Sequence, residues 1–138
     1  MKRLALILAR FAVIFAFSSC GKKVTDVEDA NSLVGKWTLV ELETHRGNRG
    51  PATGIMEAEI NFSADGTSSA FLVINKQFAK TEEIRTNFTG KWSLSNSALV
   101  TIQGANTTST VSRIWFEGDL LKVNSGGGPL MYYYSRVE

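Results

Sequence analysis

Beyond residue 32, the chain consists of short runs in which every second residue is apolar, and turn signals separate these runs. The stretch 55–63 shows the pattern most clearly, because positions 56, 58, 60 and 62 are apolar while 57, 59 and 61 are Glu or Asn. A period of two is that of a β-strand with one buried face. Asp65-Gly66 follows, a pair that tight hairpin turns favour. No stretch after residue 32 keeps a helical period, so the sequence predicts an all-β domain.

The predicted strands are 36–44, 55–63, 67–75, a segment within 81–87, 90–94, 98–103, 108–116, 120–124 and 130–137. Short turns between successive strands favour an antiparallel up-and-down meander. A meander of this length hides its edges by closing into a barrel. We therefore expect a small eight-stranded barrel, whose interior holds either its own side chains or one small ligand.

The first 19 residues have the composition of an export signal. Lys2 and Arg3 give a positive start, 4–17 is apolar except for Arg10, and small residues precede Cys20. The apolar stretch is shorter than the roughly 20 residues that a transmembrane helix needs. A secretory signal peptide is therefore expected, either of the ordinary kind or of the kind that directs lipidation.

The segment Phe17-Ser18-Ser19-Cys20 resembles the lipobox of bacterial lipoproteins. The resemblance implies that residues 1–19 are removed and that Cys20 carries the lipid, palmitate among its acyl groups, which holds the protein to a membrane. By the same resemblance, a Gly after the Cys favours the outer membrane of a Gram-negative bacterium. Residues 20–32 are charged and poor in large apolar side chains, which predicts a flexible tether ahead of a folded domain at 33–138.

Charge and cysteine content exclude several classes of function. Without Lys2, Arg3 and Arg10 the chain keeps 12 basic residues beside 13 acidic ones, and a nearly neutral domain gives no electrostatic footprint for nucleic acid. Cys20 is the single cysteine, so neither a disulfide within the chain nor a cysteine metal cluster is expected. We expect a monomer without a cofactor or metal.

The residues that could carry catalysis are few. His45 is the single histidine and lies in a polar loop, where a solvated side chain is expected rather than a member of a catalytic triad. Glu41 with Glu43, and Glu57 with Glu59, share strand faces and could act as acid–base pairs, but the polar outer face of each strand explains them as well. The sequence therefore predicts a protein that is not an enzyme.

The tripeptide Gly35-Lys36-Trp37 opens the first strand of the domain and resembles the Gly-x-Trp motif of lipocalins. The same three residue types recur at 90–92. The order of motifs over 33–138 looks like that of the small lipocalin-like domains of bacterial lipoproteins. The resemblance implies that Trp37 plugs the closed end of a barrel and that Arg136 packs across it through a cation–π contact.

The same resemblance implies a small hydrophobic ligand at the cell envelope. Arg46 and Arg49, in the first loop, are candidates for the mouth, where they could meet an anionic headgroup, or they are surface charges. A filled barrel that binds or inhibits another envelope protein is the alternative. The candidates for the cavity wall are Phe62, Phe71, Val73, Trp92, Ile102, Trp115 and Tyr133.

Overall fold

The computed structural model describes residues 22–79, 82–103 and 108–138, which form ten strands and two short helical turns. The helical turns are the 3₁₀ turn Ala30–Ser32 and α1, Lys76–Ala79. The strands are β1 Val24–Asp26, β2 Gly35–Glu43, β3 Arg49–Pro51, β4 Met56–Phe62, β5 Thr67–Ile74, β6 Ile84–Ser95, β7 Ala98–Gln103, β8 Thr108–Glu117, β9 Leu120–Ser125 and β10 Met131–Arg136.

Eight of these strands close into one antiparallel barrel. Around the barrel the order is β2, β4, β5, β6, β7, β8, β9 and β10, and β10 pairs with β2 to complete the ring. Apart from the closing pair of β10 and β2, each pairing in the ring joins barrel strands that follow one another along the chain, so the connectivity is that of a meander. The predicted all-β fold and eight-stranded closure are confirmed. The short strand β3 pairs with the end of β2, and β1 pairs with the end of β8.

The predicted strands at 81–87 and 90–94 form one continuous strand, β6, within the described residues. Its first part pairs with β5 and its last part with β7, and Gly90 belongs to both pairings. A side chain at Gly90 would place its Cβ 1.9 Å from the carbonyl oxygen of Ile102. Glycine is therefore needed at this position, where the backbone of β6 lies close to that of β7. It allows the close contact and does not end the strand.

Gly35, Trp37 and Arg136 close one end of the barrel, called here the closed end. The Arg136 guanidinium lies 4.4 Å from the centroid of the Trp37 ring, so the cation–π contact that the resemblance implies is present. Arg136 also donates hydrogen bonds to the carbonyl oxygens of Val34, at 2.7 Å, and of Ser32. Gly35 has a φ of +129°, and a Cβ there would lie 2.8 Å from Arg136 Nη1. The glycine of the motif thus makes room for the arginine.

The segment before β2 crosses the closed end and is part of the folded domain. Val24–Asp26 pairs with residues 115–117 of β8, and Val27 and Leu33 are fully buried in the core. The Trp37 indole donates a 2.8 Å hydrogen bond to the carbonyl oxygen of Leu33. Residues 24–32 are therefore docked on the barrel and are not the flexible tether that the sequence predicted. No helix in the described part of the chain is long and apolar enough to cross a bilayer.

Candidate ligand-binding cavity

A cavity of about 330 Å³ lies inside the barrel. Side chains alternate between the two faces of a strand, and the pairing of Ala58 with Leu72 and of Ile60 with Ala70 brings these four to the inner face. Strands β4 and β5 therefore supply a mainly apolar wall, to which β5 also contributes Ser68 and Ser69. The apolar wall consists of Met56, Ala58, Ile60, Phe62, Ala70, Leu72 and Ile74.

The wall across the barrel carries polar side chains beside apolar ones. Strand β8 is the fourth strand on from β4 in a ring of eight, so the two stand opposite each other. Leu99 and Leu121 extend the same strands towards the closed end and join the apolar core. The polar side chains that line the cavity on β7, β8 and β9, called here the hydroxyl wall, are Thr101, Gln103, Thr110, Ser112 and Ser125.

The polar atoms of the hydroxyl wall are open to the cavity. Among the described residues, none of the five side chains hydrogen-bonds to another protein group. Every side-chain nitrogen or oxygen that is fully enclosed in this part of the protein does have a partner. The hydroxyls of Thr110 and Ser112 lie inside the barrel and have no hydrogen-bond partner in the protein. They are therefore accessible from the cavity and can form hydrogen bonds with a molecule that occupies it.

Two tyrosines of β10 add to the cavity wall. Tyr132 and Tyr134 point inward, because they alternate with Tyr133 on the strand and share the face of Arg136. Burial raises the pKa of both phenols above the ordinary value of 10.0, so both stay neutral at physiological pH. The residues described as lining the cavity include no Asp, Glu, Lys, Arg or His. The described part of the cavity wall is therefore uncharged, and most of its Ser, Thr and Gln side chains lie on β7, β8 and β9.

Of the seven cavity candidates, Phe62, Phe71 and Ile102 are among the residues that line the cavity. The alternation of β4 directs Phe62 inward. Phe71 and Ile102 contribute at the edge, because their strands turn these positions outward and Ile102 remains 39% exposed. The predicted set and the observed wall thus share only one side chain that points into the barrel.

The other four candidates do not line the cavity. Trp92 points into the barrel but is not among the residues that line the cavity. Its indole donates a 3.0 Å hydrogen bond to the carbonyl oxygen of Ser63. Val73, Trp115 and Tyr133 occupy outward positions of their strands. When another group covers the outer face of a strand, an apolar residue is buried whether it points into the barrel or away from it. Residue type alone therefore could not predict which face these residues occupy.

Tyr133 is buried on the outside of the barrel under a cluster of charges. The Arg49 guanidinium lies 3.8 Å from the centroid of its ring. Its hydroxyl hydrogen-bonds to the Glu43 carboxylate. Arg49 in turn forms ion pairs with Glu41 and, at 2.6 Å, with Glu117. The charge of Arg49 is therefore matched on the outer wall.

Neither arginine proposed for the mouth lines the cavity. Arg49 is held on the outer wall, and Arg46 is exposed in the turn between β2 and β3. His45 is exposed in the same turn. Within residues 22–79, 82–103 and 108–138, no three His, Cys, Asp or Glu side chains come together in a way that could hold a metal ion. Cys20 lies outside the described residues.

A smaller cavity of about 270 Å³ lies at the end of the barrel opposite the closed end, called here the far end. Leu42, Ile55 and Leu130 line it together with β3, so Arg49, one of the two arginines proposed for the mouth, borders this smaller cavity. Met56 lines both this smaller cavity at the far end and the main cavity. A single flexible thioether side chain therefore stands where the two apolar spaces meet.

Sequence reasoning missed the hydroxyl wall and the two inward tyrosines. One signal could have found the tyrosines: a residue that covers Trp37 must lie on the inner face, and Tyr134 and Tyr132 are two and four positions before Arg136. The hydroxyl wall offers a weaker signal. Thr101 and Gln103 follow the inward Leu99 at the same period of two, but polar residues in a strand normally indicate a solvent face.

Comparison with solved structures shows the same fold in two bacterial proteins. The chain is similar to a lipocalin-like protein from Bacteroides uniformis, with 16% identity and a TM-score of 0.53 over 76% of this chain and 98% of the other. It is also similar to an uncharacterized protein from Bacteroides eggerthii, with 14% identity and a TM-score of 0.54 over 76% and 99%. Neither a protein-family model nor a curated protein sequence matches it. The closed barrel and these likenesses show a lipocalin-like fold.

Proposed function

We propose that the protein is a lipid-anchored, lipocalin-like binding protein of the cell envelope that holds one small hydrophobic molecule inside its barrel and catalyses no reaction. The observation that carries the proposal is the internal cavity of about 330 Å³. Ligand pockets occupy about 300–1,000 Å³ and are mostly apolar with a few polar groups that orient the ligand. A barrel filled by its own side chains would leave no space of this size.

The path of the chain into the domain supports anchoring at the closed end. The carbonyl oxygen of Lys23 accepts a 3.2 Å hydrogen bond from the backbone N–H of Gly118, in the turn between β8 and β9. Three peptide steps from Lys23 back to Cys20 span at most about 11 Å. A lipid on Cys20 would keep the closed end beside the bilayer, and the exposed Lys22 and Lys23 would face anionic headgroups. The far end would then point away from the outer membrane.

Binding in the barrel is tested with a neutral dye whose fluorescence rises in apolar surroundings, such as phenylnaphthylamine. We expect one dye per protein and loss of binding in Ala70→Phe, because Ala70 points into the cavity. Asn61→Phe is the matched control, since Asn61 is exposed on the outer face of the neighbouring strand. Equal titrations for the two variants would place the dye elsewhere. No binding by a folded wild-type protein would favour the alternative, a protein-interaction module.

A further inference from the structure

The hydroxyl wall selects among hydrophobic ligands. A ligand that is apolar on all sides would cover Thr101, Gln103, Thr110 and Ser112 and leave their polar groups without water or a partner. Such burial is unfavourable, whereas one matching group on the ligand restores the hydrogen bond. The wall therefore favours a molecule with polar groups along one edge. The apolar wall on β4 and β5 favours a ligand whose other edge is hydrocarbon.

The absence of charge from the described cavity wall adds a second selection. No cation on the described strands faces the cavity. Arg49 pairs with two carboxylates on the outer wall, and Arg136 covers Trp37 at the closed end. The outward positions of the strands hold the other five: Lys36, Arg85, Lys91, Arg113 and Lys122. A carboxylate or an ammonium inside the barrel would lose its hydration without gaining an opposite charge. The cavity disfavours either ion.

From these two walls we infer that the ligand is an uncharged amphiphile, bound with its hydroxyl, carbonyl or amide edge against the hydroxyl wall and its hydrocarbon edge against β4 and β5. This inference rests on the proposed function and narrows the ligand class. It also assigns a role in specificity to Ser112 and Thr110, which face the cavity from β8.

Three probes of equal chain length separate the ligand classes. 1-Decanol, decanoate and decylammonium compete against the neutral dye at about pH 7, where the carboxylate and the ammonium are both charged. We expect decanol to displace the dye at a concentration at least tenfold lower than either ion. Displacement by decanoate or decylammonium at the same concentration as decanol would overturn the uncharged class while leaving barrel binding intact. Failure of the dye and of all three probes would overturn both proposals.

A matched pair of variants on one strand tests the hydrogen bonds. Ser112 faces the cavity, and Ser109, three positions earlier, is exposed on the outer face of β8. We expect Ser112→Ala to weaken decanol binding about fivefold, the worth of one neutral hydrogen bond, and Ser109→Ala to leave it unchanged. Thr110→Val removes a second hydroxyl at nearly constant volume and should act like Ser112→Ala. Equal affinities across the serine pair, with unchanged thermal unfolding, would refute the role of the hydroxyl wall.

Discussion

Replacing Gly90 with Ala tests the close approach of β6 and β7 beside the cavity. The added Cβ would lie 1.9 Å from the carbonyl oxygen of Ile102, whereas a relaxed carbon–oxygen contact needs about 3.3 Å. The strands would have to separate by about 1.4 Å at this point, which breaks the adjacent ladder hydrogen bonds. Overpacking and the lost hydrogen bonds together cost about 3 kcal/mol. For a domain of this size the melting temperature should fall by about 12 °C.

The assay is urea or thermal unfolding followed by tryptophan fluorescence, with Gly50→Ala as the control. Nothing lies within 4 Å of a Cβ built on Gly50, and its φ is not positive. We expect Gly50→Ala to stay within about 0.5 kcal/mol of the wild type. If the two variants were equally stable, β6 would not pass β7 as closely as described, and the cavity wall at Gly90 would need a different explanation.

Three further predictions concern stability. Arg136→Ala removes the cation–π contact and two hydrogen bonds to the closed end and should lower the free energy of unfolding by about 2–3 kcal/mol in urea titrations; a loss no greater than that of Arg113→Ala, on the exposed outer face, would contradict it. Val27→Ala should cost about 2 kcal/mol, because Val27 is fully buried; an effect near zero would mean that the segment before β2 does not dock. Burial raises the pKa of Tyr132 and Tyr134 above 10.0, so above pH 10 the unfolded chain releases phenolic protons that the folded state keeps. Stability should therefore fall as pH rises through this range, and a flat profile would show that both rings are solvated in the folded protein.

The strands were predictable because their signals are local. Alternation over 55–63 and the Asp65-Gly66 turn act within a few residues, and the hairpin they predict is present. The predicted strand break before Gly90 was wrong, because a glycine inside an apolar pattern is equally consistent with a break and with close packing. What distinguishes the two is the carbonyl group of Ile102, which only the closed barrel brings near.

The direction of the tyrosines depends on contacts distant in sequence. Tyr133 lies on the outer face and is still buried, because Arg49 and Glu43, more than 80 positions earlier, fold over it. The docking of residues 24–34 has the same origin. Val27 is one apolar residue in a polar segment, and its burial follows from the gap that the barrel leaves at the closed end. Local patterns could not supply either contact.

The central claim, a ligand held inside the barrel, is tested most directly by native mass spectrometry. The soluble chain beginning at Gly21 is exposed to a lipid extract of bacterial envelopes, and its intact mass is measured beside those of Ala70→Phe and Asn61→Phe. If the barrel holds a ligand, the protein carries an adduct of one defined mass, which Asn61→Phe retains and Ala70→Phe loses. A clean mass for a folded wild-type protein, or an adduct that survives in Ala70→Phe, would contradict it.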